Sequence, residues 1–198
     1  MINENALMPS VVFAQLPGPS AVMSHAVSVE SDRWERAVAS RGLPPAQGKL
    51  SGDGRISVTR REVFEFGGQT RTVDNAFQLF YYSLAWGLGI RAPRLHQRLD
   101  GLAAHQAEAG PLLVSARKLV QDGAPVREAY GTLTTDLGAG RFPWFGPAFA
   151  TKFLYFAHGA NLNPRHLILD RVVSLNLRRD VWSEAPTAGW WPETYERY

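Results

Sequence analysis

A chain of 198 residues can bury the core of one sizeable domain, and its lack of cysteine excludes a disulfide scaffold, an all-cysteine zinc site and a cysteine-ligated iron–sulfur cluster. No apolar run is long enough to span a membrane. A formal net charge of +3 permits nucleic-acid binding without demanding it. The acidic, proline-interrupted start does not read as a signal peptide, so the expected location is the cytoplasm.

Residues 1–30 show no clear period, and Pro9, Pro17 and Pro19 break any helix, so this stretch reads as an extended arm ahead of a domain over 31–198. Ser31 is placed to cap a short helix over Asp32–Arg41, ended by Gly42. Thr59 and Glu62 form a capping box for a helix through Phe66, stopped by Gly67-Gly68. Val73, Ala76, Phe77, Phe80, Tyr81, Leu84 and Ala85 make one broad stripe on the clearest long helix, Thr72–Trp86. Shorter helices follow from Pro93, over 101–109, from Pro111 to about Gln121, and from Pro125 to about Leu137. Gly138 to Gly146 is a glycine-containing hairpin, and Pro147 opens a helix to about His158 that is apolar on almost every side and should be buried. Asp170 can cap a helix over Arg171–Arg179, and residues 193–198 read as the start of one more. Strand-like alternation occurs only near Ile56–Val58, so the expected fold is all-α, with eight or nine short helices.

Two charged residues stand out against this background. Lys49, Lys118 and Lys152 are the only lysines among 21 basic residues, and Lys152 lies inside the apolar helix. A desolvated lysine can lose its proton and act as a nucleophile, which an arginine cannot do. Asp170 sits in a second apolar run, Leu167–Val173. The hairpin ahead of Pro147 can present backbone N–H groups at a helix start, where the dipole favours an anion such as a DNA phosphate, and Arg141 adds charge there.

This unit resembles the helix-hairpin-helix DNA glycosylase superfamily, whose hairpin is followed by a Gly/Pro-rich loop and an aspartate. Residues 142–158 match its hairpin and second helix, and Leu167–Leu177 the segment carrying the aspartate. Within the superfamily the chain is most like the small 8-oxoguanine DNA glycosylases. Where those proteins carry a lysine, two residues past the hairpin's last glycine, this chain has Ala148; Lys152 lies one helical turn further, on the same face. Where they often have histidine after the aspartate, it has Val172.

The resemblance implies an all-α helix-hairpin-helix glycosylase architecture. It implies a monomer, associated with the nucleoid, that flips a damaged base out of double-stranded DNA and excises 8-oxoguanine, with no cofactor and no metal. Lys152 would be the nucleophile and would form a Schiff base that permits an AP-lyase step. Asp170 would stabilise the charge developing on the sugar. Arg141, Trp144, Phe145, Gly146 and Pro147 would contact DNA. Plainer readings stand beside these. Lys152 can snorkel or pair with an acid. Asp170 can be a structural cap, Trp144 and Phe145 can pack the hairpin, and Trp86 and Trp190-Trp191 can belong to the core. The histidines show no metal-ligand spacing. Two other functional classes remain open: a non-catalytic helix-hairpin-helix DNA-binding module, and a helical protein-interaction domain.

Overall fold

The computed structural model describes residues 15–69, 71–159 and 164–198. In chain order it gives α1 (Pro19–Ser24), β1 (Ala26–Glu30), α2 (Ser31–Ala39), a 3-10 turn (Gly48–Ser51), β2 (Arg55–Thr59), α3 (Arg60–Gln69), α4 (Val73–Leu88) and α5 (Leu95–Ala104). These are followed by α6 (Gln106–Gln121), α7 (Val126–Leu133), α8 (Pro147–Ala157), α9 (Arg171–Asp180) and α10 (Pro192–Arg197). The architecture is all-α with many short helices, as expected.

Helix α8 is the hub. It packs against α3, α4, α6 and α7, which is why a helix apolar all round is stable here. Ala150, Phe153, Leu154, Phe156 and Ala157 are fully buried on it. Its neighbour α4 starts one residue later than expected, after an N-cap at Thr72 whose Oγ1 accepts from Asn75 N at 3.2 Å.

Several expectations are corrected. The arm reading fails for residues 19–30, which form α1 and β1. Strand β1 pairs antiparallel with β2, Val27 opposite Val58 and Val29 opposite Ile56, so that Val29 and Val58 enter the core. Each strand is five residues long and each exposes its first residue, a pattern too short to signal a sheet. Residues 1–14 lie outside the described residues. Ser31 is not a cap. Its hydroxyl donates to Lys49 O and accepts from Gly52 N at 3.1 Å, tying α2 to the 48–52 loop.

Gly67-Gly68 does not stop α3, which runs on to Gln69 after the predicted Thr59–Glu62 capping box. A Cβ on Gly67 would stand 1.8 Å from Phe156 O, so glycine here lets α3 lie backbone-to-backbone on α8. Gly87 is likewise helical and makes room for the side chains of Lys152 and Phe149. Further on, α6 begins earlier than expected and contains Pro111, and α7 ends at Leu133 because Thr134 bridges to Gly140 to start the hairpin.

The end of α8 is sealed by two buried histidines. His158 Nε2 lies 2.9 Å from His166 Nδ1 and also accepts the His166 backbone N–H at 3.3 Å. A proton on that nitrogen would oppose the amide donor, and burial opposes the charge. Both rings are pushed down to about 4, chiefly by burial, with nearby Arg165 adding to it.

Two predictions follow from this packing. Gly67→Ala drives a methyl into a backbone carbonyl that cannot move alone, and should cost about 2 kcal/mol or more. Gly68→Ala would meet only Gly159 Cα at 3.8 Å and should be tolerated. Equal urea midpoints for the two variants would refute the backbone-contact account. The histidine pair makes stability pH-dependent. Unfolded rings bind protons below about pH 6.5 that the folded rings refuse until about pH 4. Stability should therefore be flat above that window and fall as pH drops through it, by up to about 1.4 kcal/mol per unit per ring. A urea midpoint unchanged between pH 7 and 5, above most carboxylate titration, would count against it.

Candidate active site

The site is built where the start of α8 meets the start of α9. Lys152 projects from the second turn of α8 and is only 6% exposed. Its alkyl stem lies on Gly87, where a Cβ would come within 2.9 Å of Lys152 Cδ. The stem runs back along the helix, so that Nζ donates to Ala148 O at 3.2 Å and stands 5.6 Å from the centroid of the Phe149 ring. The lysine thus reaches back by one turn, the displacement expected from its position.

Asp170 caps α9. Its Oδ1 accepts both Val172 N at 3.0 Å and Val173 N at 3.1 Å, which leaves Oδ2 free to face Lys152 Nζ at 3.6 Å. That separation is an ion pair rather than a hydrogen bond. The Lys152 pKa is lowered because burial penalises the ammonium more than Asp170 stabilises it, and Arg98 adds to the lowering. A larger fraction of neutral amine at ordinary pH is the chemical result.

Two open clefts flank the first turn of α8. One, of about 200 Å³, is lined by Pro147, Ala148, Asp170, Ser174, Gly189 and Trp190. The other, of about 290 Å³, is lined by Arg98, Trp144, Gly146, Pro147, Ala148 and Phe149. Helix α8 has no side-chain cap and no acidic residue in its first turn. A Cβ on Gly146 would meet nothing within 4 Å, so the positive end of the helix is unobstructed. Gly138 and Gly140 serve another purpose. A side chain on either would collide with a backbone carbonyl, Trp190 O at 2.2 Å or Phe145 O at 1.8 Å.

The predicted DNA-contacting residues separate. Gly146 and Pro147 line the basic cleft. Trp144 is 48% exposed with φ +64°, a left-handed backbone unusual for a bulky residue. Phe145 is corrected: it is 3% exposed, its ring 4.7 Å from that of Phe80, and it anchors the hairpin in the core. Arg141 is exposed but its guanidinium bonds to Gly131 O, at 3.1 Å from Nη2. Of the tryptophans weighed for base stacking, Trp190 is buried at 1%, Trp191 is exposed at 54%, and Trp86 is half-buried beneath Arg60.

The sequence reading missed Arg94 and Arg98. Arg98 donates to Trp144 O and lies 4.2 Å above the Phe149 ring, while Arg94 lies 4.9 Å over the Trp144 ring. Together they fix the strained hairpin turn and make its cleft basic. An arginine pair spaced by four residues, at the N-cap and in the first turn of α5, was the available signal, but nothing local ties it to a hairpin some fifty residues on. Among the described residues, no cluster of three His, Asp or Glu could hold a metal ion.

A family model described as "Putative 8-oxoguanine DNA glycosylase OGG-like protein" matches residues 20–198. A search of curated proteins and a search of solved structures each return no match. The family match takes in α8, the hairpin, Asp170 and nearly all of the rest of the chain, so the protein belongs to this OGG-like DNA glycosylase family.

Proposed function

We propose that the protein is a monomeric DNA-repair glycosylase, acting in the cytoplasm on the nucleoid, that excises 8-oxoguanine from duplex DNA and then cleaves the strand. The observation that carries the reading is the buried Lys152 amine facing Asp170 Oδ2 at 3.6 Å beside an unobstructed helix start. The damaged nucleotide leaves the stack, because its anomeric carbon is unreachable inside the duplex. The neutral Lys152 amine attacks that carbon, and the base departs with the bonding electrons and takes up a proton. Asp170 stabilises the positive charge that builds on the sugar and receives the ammonium formed on Lys152 as an ion-pair partner. The ammonium formed on attack gives up one of its two protons, the sugar-ring oxygen takes one up as its bond to the anomeric carbon breaks, and the protonated Schiff base results, from which β-elimination cuts the strand.

DNA is held by the other half of the site. A phosphate fits the cleft at the start of α8, against Arg98 and the Ala148 amide, while the exposed Trp144 ring reaches toward the groove.

The decisive experiment is excision on a panel of duplexes carrying single lesions, with borohydride present to trap the Schiff base. The parent should release 8-oxoguanine and leave uracil and 3-methyladenine in place. Lys152→Gln should abolish the trapped adduct. Asp170→Asn should slow excision by about 100- to 1000-fold while still binding lesion DNA, since asparagine remains a good N-cap. The parent's excision rate should rise with pH and level off below the ordinary lysine range, because the Lys152 pKa is lowered. Trapping that survives in Lys152→Gln would move the amine elsewhere and refute the assignment. DNA binding by the parent without any excision would leave the non-catalytic DNA-binding module.

A separate prediction concerns the helix start. Gly146→Glu meets no steric obstacle, so it adds a negative charge where the phosphate is proposed. It should weaken binding to damaged and undamaged duplexes alike and reduce the salt dependence of binding. Unchanged affinity in a salt titration would rule out a phosphate at this position.

A further inference from the structure

The segment leading into Asp170 lies in no helix or strand, so its backbone has no ladder to fix it. Side chains fix it instead. Leu169 N donates to Thr151 Oγ1 at 3.0 Å, and Thr151 Oγ1 donates to Leu169 O at 3.4 Å. Tyr195 OH donates to Leu167 O at 2.7 Å, and Tyr198 OH to Ile168 O at 3.3 Å.

The Thr151 pair has a special place in this arrangement. Thr151 immediately precedes Lys152, and Leu169 immediately precedes Asp170. Threonine in a helix often turns its hydroxyl back to its own helix's carbonyls. Here the hydroxyl reaches across to another segment, from a residue that is fully buried. A buried hydroxyl is costly unless bonded, and valine would fill the same space without that cost. The sequence keeps the hydroxyl at the one position where it can tie the two charged residues together.

We propose that Thr151 is a positioning residue whose hydroxyl, clasping both backbone polar groups of Leu169, sets the separation between the Lys152 amine and the Asp170 carboxylate. The inference rests on the glycosylase reading only for its catalytic meaning; the clasp itself is a matter of geometry. Asp170 Oδ1 is held by the α9 amides, so the direction of Oδ2 depends on where the backbone at 169–170 lies. The charged groups acting on Lys152 are Asp170 and Arg98, and the clasp governs the first of them. Tyr195 on α10 and Tyr198 just after it hold the same segment.

The test uses the full chain labelled with carbon-13 lysine, which yields three side-chain signals, from Lys49, Lys118 and Lys152. Lys152→Gln assigns the third. If the clasp sets the pair, Thr151→Val lets Asp170 drift from the amine and the Lys152 titration midpoint falls by about one pH unit or more, toward that of Asp170→Asn. Thr151→Ser, which restores the hydroxyl, titrates with the parent. A Thr151→Val midpoint equal to the parent's, with Asp170→Asn lowered, overturns the proposal. Should Thr151→Val not fold, Thr151→Ala removes the same hydroxyl in a smaller side chain. A fall of its midpoint toward that of Asp170→Asn supports the clasp, and an unmoved midpoint overturns it. Excision of 8-oxoguanine is followed against pH in parallel, and the rising limb of the rate should move with the midpoint. A parent inactive on every lesion duplex refutes the glycosylase reading while the lysine titration still decides the clasp. An active parent with an unmoved Thr151→Val refutes the clasp and leaves the reading intact.

Discussion

An ammonium group carried by an apolar helix has almost no water to solvate it, and the geometry around α8 answers that deficit. Lys152 is given a carbonyl and an aromatic face by the first turn of its own helix and a carboxylate by the cap of α9. None of the three fully replaces hydration, so burial still weakens the amine's hold on its proton. Removing the carboxylate outright would leave a buried charge poorly compensated, whereas a better hydrogen bond would quench the amine. The intermediate separation depends on Asp170 spending one oxygen on the α9 amides and keeping the other for lysine.

The parts of this arrangement that could be read from the sequence are those encoded locally. Pro147 followed by a run that is apolar but for Thr151 and Lys152 marks α8 and its burial, and an aspartate ahead of Arg171 marks the cap of α9. A lone lysine in such a run is conspicuous because its surroundings are so uniform. The resemblance to a glycosylase hairpin added a role to residues that pattern alone left ambiguous.

What the sequence hid is mostly long-range. Arg98 is an unremarked residue of a short helix until the fold brings it onto Trp144 and Phe149. The two strands are too short and too unevenly buried to announce themselves, and pairing supplies what periodicity does not. Phe145 and Trp144 are adjacent aromatics in one turn, yet the left-handed backbone at Trp144 sends one ring outward while its neighbour stays in the core. Glycine misled in a consistent way. Its usual meaning as a stop holds at Gly89, with φ +59°, but at Gly67 and Gly87 it marks a place where two elements touch.

The contact at Gly67 has a mechanical consequence. Strand β2 runs directly into α3, and at Gly67 α3 lies on α8 backbone to backbone, beside the ring contacts of Phe64 with Tyr155 and Phe156. The small sheet carries none of the candidate chemistry, yet it is geared to the helix that does. A displacement of the sheet would be passed to the far end of α8 instead of being absorbed by compliant side chains. The opposite end of that helix is locked in the same way, with Gly138 lying on Trp190 O and Gly101 on Pro143 O, so the hairpin and the 187–190 segment that border the clefts move with the helix and not against it.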